Sequence, residues 1–156
     1  ISDTGMRLSE ACGLLVSDIH LDTTTPYIDL VEHPWRRLKT GSSERQIPLV
    51  GFSLWAARQI SHIGSDFAFP KYCRANECNA NSASAALNKW LKPRVPDACV
   101  IHSFRHSIRD RLRAVECPTD IIDAIGGWSQ SKVGERYGSG YSIEIKSKWL
   151  ENACAQ

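Results

Sequence analysis

Apolar residues recur along the chain at two spacings, and each spacing predicts one kind of element. A repeat of three or four residues predicts helices over residues 4–16, 53–63, 83–92, 101–113, 118–125 and 142–152. Shorter runs rich in β-formers and separated by turn residues predict strands over 18–21, 27–32 and 44–48. The polar, asparagine-rich stretch 71–82 is expected to be a loop. The pattern therefore predicts a mainly helical α+β domain with a small three-stranded antiparallel sheet.

The helix predicted over 53–63 has a broad apolar face. Phe52, Ile60 and Ile63 lie on one stripe, and Trp55 widens it. Aromatic and branched aliphatic side chains are commonly buried in protein interiors. We therefore expect this helix to contribute its aromatic residues to the core.

The helix predicted over 101–113, with the sequence IHSFRHSIRDRLR, combines an apolar stripe with a strongly basic composition. His102 and Arg105 are three residues apart, which brings them to one face near the start of the helix. Ile108 and Leu112 are expected on the opposite side, facing a core. An arginine fork together with the free N–H groups of a helix N-terminus suits a phosphate group. The same pattern also fits an ordinary amphipathic helix with a solvated basic face.

Two other segments carry polar side chains in positions suited to chemistry. In TGMRLSEACGL (4–14), Arg7 and Glu10 are three residues apart and can pair on the polar side of a helix. In LKTGSSERQIPL (38–49), Lys39 lies beside the turn that precedes the last predicted strand. A lysine there can reach into a groove and deliver one proton to a leaving oxygen. The ordinary alternatives are a surface salt bridge and a solubilising edge lysine.

Taken in chain order, these segments resemble the catalytic domain of the tyrosine recombinase, or phage integrase, family. That family's signature runs Arg, Lys, His-x-x-Arg, His or Trp, and then Tyr. The matching positions in this sequence are Arg7, Lys39, His102, Arg105, Trp128 and Tyr137. The last two lie in GGWSQSKVGERYG (126–138), where this chain has Gly-Gly-Trp and the family most often has Leu-Gly-His. The resemblance covers nearly the whole chain and implies the family's catalytic-domain fold.

The resemblance implies DNA strand exchange by two transesterifications, without ATP, a metal ion or another cofactor. Tyr137 would attack a backbone phosphate and form a 3′-phosphotyrosyl link. Arg7 and Arg105 would hold the phosphate oxygens, and Glu10 would hold Arg7 in position. The remaining roles would be proton transfer by His102, protonation of the leaving 5′-oxygen by Lys39 and N–H donation by Trp128. Indole donates but never accepts a hydrogen bond, so an acid–base role is excluded for the tryptophan.

Two tyrosines compete for the role of nucleophile. Both lie in one glycine-rich stretch, so composition cannot choose between them. Tyr137 lies nine residues after Trp128, which is the usual spacing in the family, whereas Tyr141 lies thirteen after it. The spacing therefore favours Tyr137.

The distribution of charge along the chain is more informative than the net charge. The net charge of the 156 residues is only +2, which by itself does not mark a nucleic-acid-binding protein. Clustered cations are the usual footprint of phosphate binding, and they can equally be solvated faces. The candidates for DNA contact are Arg36, Arg37, Arg45 and Arg109. The six cysteines form no C-x-x-C pair and are expected to be reduced thiols that bind no metal.

Several expectations concern the protein's context. No apolar run approaches the roughly 20 residues of a membrane span, so we expect a cytoplasmic protein, encoded by a bacterium or phage and associated with the nucleoid. Because Ile1 opens almost directly on a motif, residues 1–156 are expected to be the C-terminal catalytic domain of a protein whose upstream DNA-binding domain is absent. Family members assemble on double-stranded DNA, which implies a homotetramer there and a monomer without DNA. The last helix, 142–152, could dock on a neighbour or pack on its own domain.

Two other functions remain open. A tyrosine-type topoisomerase shares the chemistry but relaxes supercoils without exchanging strands. A DNA-binding module that has lost catalysis would keep the surface but not the reaction. The compact spacing of the motif and the KTGSSERQIPL hairpin are more typical of an integrase, and all six motif positions are filled.

Overall fold

The computed structural model describes residues 1–38, 43–74, 77–128 and 140–155. Within these ranges the helices are α1 (Leu8–Cys12), α2 (Gly51–Ile60), α3 (Ala80–Leu91), α4 (Ser103–Ala114), α5 (Thr119–Gly126) and α6 (Ile143–Cys154). The strands are β1 (Ile19–His20), β2 (Tyr27–Leu30), β3 (Arg45–Pro48), β4 (Cys73–Arg74) and β5 (Glu77–Cys78). A short 3₁₀ turn at Val16–Asp18 precedes β1. No helix in the described ranges is long and apolar enough to cross a membrane.

Strands β1, β2 and β3 form the predicted antiparallel sheet, in that order. Ile28 pairs with Ile19 on one side and with Ile47 on the other. Alternate side chains of a strand point to one face, and the inward face here includes Leu30 and Ile47, which are fully buried. The prediction of a small three-stranded antiparallel sheet is confirmed, although each strand is shorter than expected.

The expectation of a loop over residues 71–82 is wrong. Strands β4 and β5 pair there, with Cys73 opposite Cys78, and α3 already begins at Ala80. The side-chain oxygen of Asn79 accepts a hydrogen bond from the backbone N–H of Ser82 at 2.9 Å. Asparagine is a favoured N-cap residue because its side chain satisfies a free N–H of the first turn. Asn79, within the asparagine-rich stretch, therefore marked a helix start.

Three apolar clusters lie within the described residues, and two of them are large. The first joins α1 and α2 to the inward face of the sheet. The second joins α4, α5 and α6, where Ile108, Leu112, Ile122 and Leu150 are all but completely buried. Removing a buried leucine side chain typically costs about 2–5 kcal/mol of stability. The last helix therefore packs on its own domain in this structure, which answers for the single chain the choice left open by the sequence.

The prediction that α2 buries its aromatic residues is wrong. Phe52 is 78% exposed and Trp55 is 64% exposed, whereas Ala57 and Ile60 face the core. When most of a helix surface is apolar, periodicity does not identify which arc faces the interior. Because Ala57 and Ile60 are the residues of α2 that face the first core, Phe52 and Trp55 lie outward.

Candidate active site

Arg105 lies at the head of the buried stripe of α4. Its spacing of three and seven residues from Ile108 and Leu112 brings all three to one face of a helix. All three are buried, and Arg105 is only 3% exposed. The expectation that the apolar stripe lies opposite Arg105 is therefore wrong. Arg105 is thus buried on the same face of α4 as the residues that pack in the core.

The guanidinium of Arg105 is held by backbone and by an aromatic ring. Its Nη1 donates to the carbonyl of Gly5, two residues before Arg7, and its Cζ lies 4.5 Å from the ring centre of Trp128. Its Nη2 is buried and has no acceptor in the part of the chain that the structure describes. Burial and then the charge of Arg7 lower the pKa of Arg105 to about 10, so it stays a cation at neutral pH. The Nη2 of Arg105 can thus donate to an acceptor outside the described residues.

Arg7 and Glu10 form the predicted ion pair across the first turn of α1. The Nη1 of Arg7 donates to Glu10 Oε1 at 2.6 Å, and its backbone N–H donates to Glu10 Oε2 at 2.8 Å. The Arg7 side chain keeps 24% of its surface exposed, whereas that of Glu10 keeps 3%. Glu10 therefore fixes the direction of Arg7 while part of the guanidinium remains open.

The buried carboxylate of Glu10 stays charged because of its partners. Burial raises the pKa of Glu10, but the charge of Arg45 and hydrogen bonds from Arg7 and Arg45 outweigh burial, so the net shift is downward. A buried carboxylate that is paired and hydrogen-bonded is stable as an anion. Glu10 is therefore an anion at neutral pH and balances part of the positive charge of the site.

Trp128 rests directly on the end of α5. A Cβ added at Gly126 would overlap the six-membered ring of Trp128, so only glycine leaves room for the ring in this position. Gly127 ends α5 with φ of 61°, the left-handed conformation that glycine adopts without strain. The sequence predicted the helix stop at these glycines, and the stop is confirmed. That Gly126 also seats the tryptophan was not visible in the sequence.

His102 stands at the N-cap of α4 and is exposed. Its ring meets that of His106 edge to face, with 5.1 Å between centroids. Partial burial, followed by the charges of His106, Arg105 and Arg7, lowers the pKa of His102 below 6.5. At neutral pH His102 is therefore uncharged and has one ring nitrogen that can accept a proton.

The four arginines predicted to contact DNA differ in position. Arg37 is exposed, as a surface contact requires. Arg109 is partly exposed; its Nη2 meets Asp123 Oδ1 at 3.4 Å and its Cζ lies 5.1 Å from the ring centre of Trp128. It can therefore both flank Trp128 and face solvent.

Arg36 does not fit a DNA contact, and this expectation is corrected. Its side chain is 1% exposed and lies 3.4 Å from Asp18 Oδ2, and it also donates to the carbonyl of Glu10 at 3.3 Å. Its stem packs on Gly13, where an added Cβ would come within 2.8 Å of Arg36 Cδ. A guanidinium enclosed by protein acceptors cannot reach a DNA backbone. Arg36 instead ties the chain after β2 to α1.

Arg45 is likewise internal, which corrects the second expectation of a DNA contact. Its side chain is 5% exposed and pairs with Glu10 Oε2 at 3.1 Å. Burial lowers the pKa of Arg45, and the charge of Glu10 opposes that shift. Two of the four arginines predicted to contact DNA are thus buried.

The arrangement as a whole can bind an anion with several oxygens. Arg7 and His102 stand at the N-caps of α1 and α4, Arg105 follows on α4, and the charges of Arg105 and Arg7 both lower the pKa of His102. Lys39 and Tyr137 lie outside the described residues, so their predicted roles stay predictions. Among the described residues, no group of three or more His, Cys, Asp or Glu side chains is arranged to hold a metal ion.

Comparison with known proteins identifies the family of the chain. The model of the phage integrase family matches residues 1–141. A solved structure, the Tn1549 transposon integrase in complex with transposon right end DNA, has the same fold, with a TM-score of 0.60 and 18% sequence identity. That match covers 99% of this chain and 56% of the integrase chain. No curated protein sequence matches the chain. Since the family model spans nearly all of the sequence and both motif arginines fall within it, the chain belongs to the phage integrase family of tyrosine recombinases.

Proposed function

We propose that the chain carries out site-specific DNA recombination, integrating or excising mobile DNA by cutting and rejoining strands through Tyr137. The observation that carries this proposal is the buried Nη2 of Arg105, which has no acceptor among the described residues. A buried N–H group without a partner costs free energy, and a guanidinium fork fits two oxygens of one phosphate. The charge of Arg7 lowers the pKa of Arg105, so the two guanidinium groups lie near each other.

The proposed reaction conserves the number of phosphodiester bonds. The phenolic oxygen of Tyr137 attacks the scissile phosphorus, a P–Oη bond forms, and the P–O5′ bond breaks. The phenol loses its proton and the departing 5′-oxygen gains one. The 5′-hydroxyl of a second strand then attacks the 3′-phosphotyrosyl link and releases the tyrosine. Because the ester bond stores the free energy of the broken link, no nucleotide cofactor is needed.

The side chains around the phosphate divide the work of catalysis. Arg7 and Arg105 stabilise the charge that grows on the phosphate oxygens, which is usually the largest catalytic contribution in a closed site. Neutral His102 accepts the phenolic proton or hydrogen-bonds an oxygen, and Lys39 protonates the leaving group. The indole N–H of Trp128 donates to the phosphate.

The choice of Tyr137 as nucleophile gains support from the contacts of its rival. The hydroxyl of Tyr141 donates to Asp120 Oδ2 on α5. This hydrogen bond holds the Tyr141 hydroxyl against α5. This contact, together with the family spacing, favours Tyr137.

The proposal extends to the assembly. Residues 1–156 would act as the catalytic domain of a longer recombinase that works as a homotetramer on double-stranded DNA, in the cytoplasm, and is a monomer without DNA. The structural neighbour is an integrase solved with a DNA end, which supports duplex DNA as the substrate. Light scattering with and without DNA tests the assembly, and a stable tetramer without DNA would contradict it.

A nicked suicide substrate tests the reaction. The full-length protein with Tyr137→Phe should lose the covalent protein–DNA band, whereas Tyr141→Phe should keep it. Loss of the band only with Tyr141→Phe would overturn the assignment, and absence of a band with the unaltered protein would leave a binding module. Strand-exchange products distinguish a recombinase from a topoisomerase, which would only relax supercoils.

A further inference from the structure

Arg45 occupies the contact between the two halves of the active site. Its Nη2 donates to Glu10 Oε2 at 3.1 Å, its Nε to the carbonyl of Ile125 at 2.8 Å, and its Nη1 to the carbonyl of Ser43 at 2.7 Å. Glu10 lies on α1, Ile125 lies near the end of α5, and Ser43 lies two residues before β3. Each nitrogen of this buried guanidinium therefore donates to a different part of the chain.

These hydrogen bonds connect Arg45 to both parts of the site, the Glu10–Arg7 pair and the Trp128–Arg105 pair. Glu10 is the carboxylate that directs Arg7, and it shares its Oε2 between Arg45 and the backbone N–H of Arg7. Ile125 lies three residues before Trp128, the ring on which Arg105 rests. Displacement of Arg45 would thus release the Arg7 side and the Arg105 side together.

Close packing shows that the guanidinium has one defined position. A Cβ added at Gly127 would come within 2.6 Å of Arg45 Nη1 and 2.8 Å of its Cζ. The backbone before Trp128 therefore lies directly on the guanidinium plane. Small changes on either side are transmitted to the other because the contact leaves no free space.

We infer that Arg45 is a positioning residue for strand cleavage, which couples the Glu10–Arg7 pair to the Trp128–Arg105 pair and does not touch DNA. The inference rests on the proposed function. Charge alone had suggested a DNA contact at this position. The side chain is 5% exposed and its donors are taken by protein oxygens, so its effect on the phosphate must pass through its neighbours.

The test is single-turnover cleavage of the nicked substrate by Arg45→Met and Arg45→Lys full-length proteins, with Arg58→Met, an exposed arginine on α2, as control. At saturating DNA the cleavage rate should fall roughly ten- to a hundredfold for both, because reacting groups displaced by about 1 Å lose that much. The lysine should not rescue, since it cannot form three diverging bonds. The fraction of enzyme that reacts, the DNA affinity and the salt dependence of that affinity should stay unchanged.

The other outcomes would overturn the inference in distinct ways. A cleavage rate equal to that of the unaltered protein removes the positioning role. A smaller reacting fraction at an unchanged rate indicates a purely structural residue. A weaker affinity with a salt slope reduced by about 0.9 indicates a phosphate contact. If the unaltered protein forms no covalent product, the proposed function fails instead.

A second pair of variants keeps the inference testable if Arg45→Met does not fold. Gly127→Ala would push on the guanidinium without removing it. Gly64→Ala is matched to it because its φ of +68° is close to +61° and no described residue lies within 4 Å of a Cβ added there. Both carry the same backbone penalty. A lower cleavage rate for Gly127→Ala alone supports the inference, and equal rates for the two variants overturn it.

Discussion

The two arginines of the site are held in different ways. Arg7 is fixed by an ion pair with Glu10, and its side chain is 24% exposed. Arg105 is 3% exposed, bonds to the Gly5 carbonyl and rests on the Trp128 ring. The Arg7 side therefore depends on charge, whereas the Arg105 side depends on packing. The candidate site thus combines an electrostatic half and a steric half, and we expect each half to fail under different conditions.

The largest expected effect is on the Arg105 side. Arg105→Lys should lower the rate of strand cleavage by roughly a hundredfold or more, because lysine keeps the charge but loses the fork that reaches two oxygens. Arg113→Lys is the matched control, since Arg113 lies on the same helix with 58% of its side chain exposed. Single-turnover cleavage of a nicked substrate measures both. Cleavage near the unaltered rate by Arg105→Lys would remove the clamp assignment.

A steric change should have a smaller effect on the same side. Gly126→Ala would displace the Trp128 ring from Arg105, and cleavage should fall on the order of tenfold, because a desolvated cation–π contact is worth about 1–2 kcal/mol. In a protein that already carries Trp128→Ala, the added alanine should have little further effect. An undiminished loss in that background would show that Gly126 acts on something other than the ring.

We expect the Glu10–Arg7 side of the site to make the stability of the folded protein sensitive to acid. The pKa of Glu10 is lowered in the folded protein, so the stability that this carboxylate contributes is complete above its unfolded value of 4.5. That stability is lost as the pH falls through the folded pKa. Urea unfolding at pH values from about 3 to 7 should show a weaker acid dependence for Glu10→Gln than for the unaltered protein. Exposed Glu77→Gln should leave the dependence unchanged, and a matching change there would contradict the assignment.

The smallest expected effect is a shift in the pH dependence of cleavage. His102 has a pKa below 6.5 and must be neutral to accept a proton, so cleavage should fall only when the pH drops below that range. The acid limb of the rate profile should disappear in His102→Gln, at a lower plateau. An acid limb that survives unchanged in this variant would assign it to another group.

Local sequence features predicted the local parts of this structure. Spacing predicted the Arg7–Glu10 pair, which the structure confirms at 2.6 Å. The glycine pair predicted the end of α5, and alternation predicted the three-stranded sheet. Contacts between neighbouring residues, or one repeating pattern, determine these features, so they can be predicted from the order of the residues.

The burial of charged and aromatic residues was decided by the tertiary structure alone. Arg36 and Arg45 have the same composition signal as exposed Arg37, yet their acceptors come from distant segments such as Asp18 and the carbonyl of Ile125. A buried cation is stable only where such oxygens converge, and convergence is a property of packed elements. The same holds for α2, whose apolar surface exceeds its core-facing arc. The sequence by itself determined most of the elements and the positions of Arg7, His102 and Arg105 along them; packing decided which arginines are enclosed by protein oxygens and which keep an N–H group or part of their surface open.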